Sequence, residues 1–313
     1  AMSGDLPEGE LTDTEFMHEV MDMCVGCKGC ARDCPSEVDM AKLKAEVEHE
    51  HHREHGASLR EKAFAHVDAL SRVGSALAPL SNLASEVPYV REAMERALGI
   101  AAERSLPHFE RETFRDWWAE RGPRVPERNA EREVVLFADT YSNYSDPAPL
   151  KAAVRVLEAA DVHVAIADRT DSGRPAHSKG FLDLAADTAA ENVAALHPRV
   201  ADGWDVVAVE PSDAVMFQHD YRDLLSGERV AAVAESTYGV MEYLDAHRLV
   251  GDLDTAEPDA SVTYHGHCHQ KATKKDHHAV GVLRRAGYDV DPLDSGCCGM
   301  AGSFGYEAEH HSM

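Results

Sequence analysis

Cys24-x2-Cys27-x2-Cys30-x3-Cys34-Pro35 gathers four thiols into eleven residues, and no other feature of the chain constrains its folding as tightly. Three cysteines at successive three-residue steps wrap one small inorganic cube, with Gly26 and Gly29 relaxing the backbone between them. A four-cysteine zinc site joins two separated pairs, so the compressed triple reads as a [4Fe-4S] site rather than structural zinc. Cys24, Cys27 and Cys30 are the expected ligands. For the fourth position three choices stay open: Cys34, a cysteine from further along the chain, or an open iron. The total of seven cysteines is odd, which suits metal chemistry better than a disulfide framework.

The run lies between two helical patterns. Thr12, Asp13 and Thr14 stand ahead of Phe16, Val20, Met21 and Met23 and predict a capped helix over 12–23. A second helix is expected from Ser36, with Val38, Leu43 and Val47 on one face and Gly56 as its stop. Its His51 and His55 sit among charged residues and read as a solvated face. Helical text continues from Ser58 to about Leu98, where Pro79 and Pro88 should break it into short pieces.

Beyond a Pro- and charge-rich stretch at 121–132 the rhythm changes, and a domain linker is expected there. Residues 134–140, 162–168, 205–211, 261–266 and 288–294 read as strands with helical text between several of them, which predicts an α/β sheet domain. That domain contains an internal repeat. A shift of 126 residues sets Val154 on Val280, Leu157 on Leu283, Val164 on Val290, Asp168 on Asp294 and Gly173 on Gly299. Both copies read helix, strand, Gly-bearing loop. The loop of the second copy carries Cys297 and Cys298, where the first has Asp171 and Ser172. With Cys268 in HGHCHQK, these thiols are expected to form a second metal or cluster site at one sheet edge. His265, His267 and His269 alternate and would share a face of an extended segment away from Cys268. Gly299, Gly302 and Gly305 lack the G-x-G opening and lysine of phosphate-binding loops, so a phosphate site is not expected.

Charge excludes whole classes of partner. Against 56 Asp and Glu stand 31 Lys and Arg, a net charge of −25, which disfavours nucleic acid and anionic membrane surfaces. Only 9 of the basic residues are Lys, a balance that resembles proteins of high-salt cytoplasms. No apolar run is long enough for a transmembrane segment and no export signal opens the chain, so a cytoplasmic location, peripheral at most to the inner membrane face, is expected.

CVGCKGCARDCPSEVDMAKLKAE, GIAAERSLPHFERETFRDWW, SGRPAHSKGFLD, VEPSD, HGHCHQKA and DSGCCGMAGSFGYEAEH together resemble the iron-sulfur half of FAD-linked 2-hydroxy-acid dehydrogenases of the D-2-hydroxyglutarate and D-lactate dehydrogenase type. The α/β part resembles the cysteine-rich CCG domain of heterodisulfide reductases and glycolate oxidase iron-sulfur subunits. The resemblance implies an α + α/β fold. A helical [4Fe-4S] ferredoxin-like segment would span 1–56, a helical connecting region 57–127, and a two-repeat CCG domain 128–313 with its second repeat cut short. It further implies an electron-transfer module with no catalytic residue of its own. FAD would reside in a domain or subunit not present here, and a quinone or carrier protein would accept the electrons. A colourless zinc-binding or metal-free interaction module is the rival reading. Asp171, Ser172 and Asp213 stand where relatives often carry cysteines, so no cluster is expected in the first repeat.

Overall fold

The computed structural model describes residues 14–36, 38–253, 258, 260–293, 296 and 302–310. A helical front half precedes a parallel-sheet half. The front half comprises α1 (Thr14–Asp22), α2 (Gly29–Asp33), α3 (Met40–His55), α4 (Leu59–Ala65), α5 (Val67–Ala76), α6 (Leu80–Glu86), α7 (Pro88–Leu98) and α8 (Phe114–Arg121). Ser58 and Thr113 close capping boxes on α4 and α8, and Pro88 opens α7 as its first residue, where its missing N–H costs nothing.

Three expectations for this half change. α3 starts at Met40 rather than at Ser36, because the Asp39 carboxylate accepts from Ala41 N and Lys42 N and caps the helix there. Its buried face is Ala45 and Glu48, while Val38 and Leu43 are exposed. The reason is Gly180. With φ at +68°, it lies so close that a Cβ would come within 2.4 Å of Glu48 Cβ, so α3 docks through small contacts rather than a leucine ridge. His49 Nδ1 donates to Gly180 O at 3.1 Å and fixes that approach. Nor is His51 solvated. Its ring stacks between His18 at 4.2 Å and His55 at 4.6 Å, joining α1 to α3.

Along α5 to α7 an apolar strip stays exposed, with Leu70, Val73, Leu77, Leu80, Leu83 and Tyr89 all at least half accessible. Between Ala69 and Val90 the chain carries just two charges, Arg72 and Glu86, in a protein that is 28% charged.

The second half runs β1 (Arg132–Phe137), α9 (Thr140–Tyr144), α10 (Ala148–Ala159), β2 (Val162–Ile166), α11 (Arg174–Ser178), α12 (Leu182–Ala201), β3 (Asp205–Ala208) and α13 (Pro211–Val215). A π-turn at Met216–Asp220 leads into α14 (Tyr221–Leu224), α15 (Glu228–Glu235), β4 (Thr237–Gly239) and α16 (Val240–Ala246). β5 (Ser261–Tyr264), α17 (Cys268–Ala272), α18 (Asp276–Arg285) and β6 (Asp289–Pro292) complete it. The first four strands form a parallel sheet in the order β2-β1-β3-β4, and β5 and β6 form a separate parallel pair. The short strand β4 is one that alternation in the sequence did not reveal.

Successive residues of β1 explain why both sheet faces are covered. Val134 and Leu136 pack with Leu150, Val154, Leu157 and Tyr243 on one side. Val135 and Phe137 pack with Ala185, Trp204, Phe217 and Tyr221 on the other. Such a doubly buried parallel strand needs an almost unbroken apolar run, and each fully buried large side chain contributes about 1.5–3 kcal/mol.

The β-α-α-β order of β1 to β2 recurs from β5 to β6. Pairing registers refine the repeat: Val134 pairs with Val164 and Val262 with Val290, so the second strands are offset by 126 residues and the first by 128. The two-residue difference is absorbed by α18, which has 10 residues where α10 has 12.

Residues 122–131 are tied down rather than loose. Arg121 pairs with Glu158, and Arg124 N donates to Glu158 Oε1 at 2.7 Å.

Candidate metal centre

The turn from α1 into α2 sets out the front cysteines. Cys24 N donates to Met21 O at 2.9 Å, Gly26 has φ +69°, and Cys34 N donates to Cys30 O at 2.8 Å as α2 ends. Lys28 is the one residue of this loop that is both buried and non-glycine with positive φ (+59°), and its side chain accounts for the conformation. The Lys28 ammonium donates to Asp39 at 2.8 Å and to Asp220 at 2.9 Å, tying the loop to the cap of α3 and to the π-turn of the sheet half. Asp220 is fully buried and also receives Arg174. Burial alone would raise its pKa, but the Arg174 and Lys28 charges outweigh it and hold the carboxyl well below the usual range. Met40 N donates to Cys30 Sγ at 3.2 Å, and Lys44 holds Cys24 O at 2.8 Å.

Cys268 arrives from the other half. β5 ends at Tyr264, and the chain turns at once into α17, whose N-cap is His267 and whose first residue is Cys268. α17 packs against α2 and α13, which brings the fifth described cysteine to the cysteine-bearing segment at the front. The histidines therefore do not alternate on an extended segment as expected. His267 Nδ1 accepts from His269 N at 3.2 Å, and His265 Nε2 donates to Gly296 O at 3.0 Å. His269 is buried and donates from Nε2 to Gly26 O at 3.0 Å. Burial, helped by the Arg174 charge, pushes its pKa down to about 3, so the ring is neutral, with the proton on Nε2 and a buried Nδ1 without a hydrogen bond. Cys297 and Cys298 lie outside the described residues, as does Gly299; Gly302–Tyr306 is a 3-10 turn.

Sulfur spacing bears on which metal unit the thiols suit. Among the described residues no three of Cys24, Cys27, Cys30, Cys34 and Cys268 have sulfurs within 4.8 Å of one another. A tetrahedral zinc at about 2.3 Å from each sulfur would hold them roughly 3.8 Å apart. A thiol-only donor set is the chemistry an iron-sulfur cluster takes, and no three of these sulfurs stand as close as zinc would hold them.

In the first repeat the matching place holds oxygen instead of sulfur. Asp139 caps α9 as His267 caps α17, which makes Thr140 the counterpart of Cys268. Thr140 Oγ1 donates to Asp68 at 2.8 Å. Ser172 Oγ donates to Asp213 and accepts from Arg174 N at 3.1 Å, and Tyr221 OH donates to Ser172 O at 2.9 Å. Thr140 and Ser172 thus each donate to a carboxylate, Asp68 and Asp213. Asp213 is buried, and burial together with the Asp139 and Glu210 charges pushes its pKa well up. Burial raises Asp139 to about 6, and its Oδ2 has no hydrogen bond.

Of the residues that fix this centre, the sequence pattern singled out the cysteines but not Lys28, Asp39, Arg174 or Asp220, and it set His269 on an extended segment rather than in α17. Asp220 lies 192 residues from Lys28, and no local spacing marks such a pair.

Comparison with known proteins places the whole chain beside redox proteins. It is similar to D-2-hydroxyglutarate dehydrogenase of Escherichia coli (strain K12), 25% identical over 313 residues, covering 95% of this chain and 30% of that one. It is similar to the C subunit of the anaerobic glycerol-3-phosphate dehydrogenase of the same organism, 27% identical over 316 residues, covering 97% of this chain and 78% of that one. D-2-hydroxyglutarate dehydrogenase of Haemophilus influenzae is 22% identical, with 96% and 31% covered. The chain thus spans about a third of the D-2-hydroxyglutarate dehydrogenases and over three quarters of the glycerol-3-phosphate dehydrogenase component. No family model and no solved structure matches it.

Proposed function

We propose that this chain is the electron-transfer, iron-sulfur portion of an FAD-linked 2-hydroxy-acid dehydrogenase of the D-lactate, D-2-hydroxyglutarate or glycolate type. The observation that carries the reading is the junction of α2 and α17, where a C-x2-C-x2-C-x3-C-P loop meets a fifth cysteine delivered by a separate parallel-sheet unit. Cys24, Cys27 and Cys30 would hold a [4Fe-4S] cluster, with Cys34 or Cys268 as fourth ligand; Cys268 with Cys297 and Cys298 would form a second, cysteine-rich site of the CCG type. When bound, such a cluster exchanges single electrons with little rearrangement. The chain's own part is to hold the loop rigid through Lys28, Asp39, Asp220 and Arg174, and to donate Met40 N–H to the Cys30 sulfur.

The partner in this reading is a flavin-bearing domain or subunit, with a quinone or carrier protein beyond it. D-2-hydroxyglutarate dehydrogenase of Escherichia coli extends well past the matched region, and we assign the exposed, nearly uncharged strip of α5 to α7 to such a flavin protein. The acidic, Lys-poor composition fits a high-salt cytoplasm, and among the described residues no helix is long and apolar enough to cross a membrane.

Anaerobic reconstitution tests the reading. About four irons per front site and a reducible paramagnetic signal are expected, with both lost in Cys27→Ser. Comparing Cys34→Ser with Cys268→Ser identifies the fourth ligand as the variant with the larger loss of iron. Stoichiometric zinc after aerobic and anaerobic preparation alike would overturn it in favour of a non-redox module. The chain alone should not oxidise D-lactate or D-2-hydroxyglutarate with a dye acceptor.

A further inference from the structure

A second group of ligand-type side chains, unrelated to the cysteines, forms where the last described segment meets α1. Residues 302–310 are pinned to the loop after α7: Ala101 N donates to Tyr306 O and Ala308 N to Gly99 O, both at 2.8 Å. Arg60 reinforces this by pairing with Glu309 and donating to Gly99 O at 3.1 Å. The segment thereby carries Glu307 and His310, both more than nine-tenths buried, onto Asp22, the last residue of α1.

His310 Nε2 is 3.3 Å from Asp22 Oδ2 and 3.7 Å from Glu307 Oε2, and one ligand atom from each of the three lies within 4.8 Å of the others. The Phe304 ring stacks on His310 at 4.2 Å and 8°, holding the imidazole plane. Yet neither ring nitrogen of His310 makes a hydrogen bond. A buried imidazole without a hydrogen bond is costly unless something else satisfies it.

We infer that Asp22, Glu307 and His310 form a binding site for a first-row divalent cation of the Mn2+, Fe2+ or Zn2+ class. One imidazole nitrogen and two carboxylates make a donor set suited to these borderline ions and not to Cu+ or an iron-sulfur cube. The surrounding charges leave room for a cation. Lys179 occupies Glu307 Oε1 at 2.5 Å, Arg60 lies 3.7 Å from Oε2, and Lys44 donates to Asp22 O at 3.3 Å. Facing these three cations are four carboxylates, Asp22, Glu307, Glu309 and the Glu48 that pairs with Lys44, so one negative charge remains over. The bound ion would tie α1 to the segment that follows the second repeat, two residues before Cys24. That makes it a clasp on the front of the metal centre and not part of the electron path.

Mn2+ is the probe, because thiolates compete poorly for it. Titration of the full chain, read by calorimetry and by loss of the free Mn2+ paramagnetic signal, should show one saturable ion. His310→Ala and Asp22→Asn should each weaken it by at least about tenfold. Mn2+ should also raise the melting temperature of the wild type and of Cys24→Ser, but not of His310→Ala or Asp22→Asn. Asp22 is 44% exposed, so its variant should fold even if His310→Ala does not. No saturable binding, or binding unchanged in Asp22→Asn, would overturn the site.

Discussion

Replacing Asp220 by Asn removes a fully buried charge that two cations share, and the structure sets the scale of the loss. Lys28 Nζ lies 2.9 Å from Asp220 Oδ1, and Arg174 reaches the other oxygen. At an effective dielectric of about 20 one such pair attracts by roughly 6 kcal/mol, much of it offset by desolvation. Breaking a buried pair by deleting one partner typically costs about 3–5 kcal/mol, because the other charge is left uncompensated. Lys28 keeps Asp39 at 2.8 Å and Arg174 keeps the Ser212 carbonyl at 3.2 Å, so the lower end, about 3 kcal/mol, applies here. In a fold of this size that lowers the melting temperature by roughly 4–5 °C. Urea unfolding followed by far-ultraviolet circular dichroism gives the free energy, and iron retention after reconstitution gives the consequence for the Cys27–Cys30 loop. Lys28→Met in the Asp220→Asn background should cost less than the two single losses added, since each removes the other's orphan. A loss below about 1 kcal/mol for Asp220→Asn, or strict additivity in the cycle, would refute the account of Lys28 as the anchor of the cysteine loop.

Asp139 gives a prediction of opposite sign. Its folded pKa is raised to about 6 by burial, so between its unfolded value near 4 and about 6 the native state holds a proton the unfolded chain has lost. Stability contributed by this group should fall as pH rises through that window. Asp139→Asn keeps a cap for α9, so it should flatten the slope and stabilise the protein by about 1–3 kcal/mol near pH 8. A slope unchanged in the variant, measured by urea unfolding across that range, would count against the assignment. Salt is the third perturbation: with 56 acids against 31 bases, shortening the Debye length from about 10 Å to about 3 Å should relieve self-repulsion. The melting midpoint should climb steeply between about 0.1 M and about 2 M KCl, and a flat or falling midpoint would leave an ordinary acidic surface.

The alternation of strands and helices in the back half was legible because a doubly buried parallel strand writes itself as an apolar run: the VVLF of β1 has all four side chains at or below 4% exposure. β4 was not, because Thr237–Gly239 is three residues long and contains a glycine. α3 was placed correctly at its glycine stop and wrongly on its face. Apolar periodicity assumes that large side chains make the contact, and Gly180 lets Glu48 and Ala45 do so instead. His51 was misread for a related reason: its charged sequence neighbours hide a stacking partner, His18, that lies 33 positions earlier.

At the metal centre, what the sequence carries is identity, and what it withholds is restraint. Thiol spacing of three residues is a local signal, so Cys24, Cys27 and Cys30 could be read as candidate ligands from the run alone, with the fourth left open. The geometry those thiols adopt depends on Lys28, whose positive φ is an unfavourable choice for a non-glycine residue unless its side chain is claimed elsewhere. It is claimed by Asp39 and by Asp220, one 11 residues on and one in the other half of the molecule. Because Asp220 sits at the end of the π-turn after α13, and α13 packs on the helix that bears Cys268, the front loop and the back cysteine share one support. The repeat sets two alternatives side by side: Thr140, bonded to Asp68, opens α9 in the first copy where Cys268 opens α17 in the second, and only α17 packs on the front cysteine-bearing helix α2 among the described contacts.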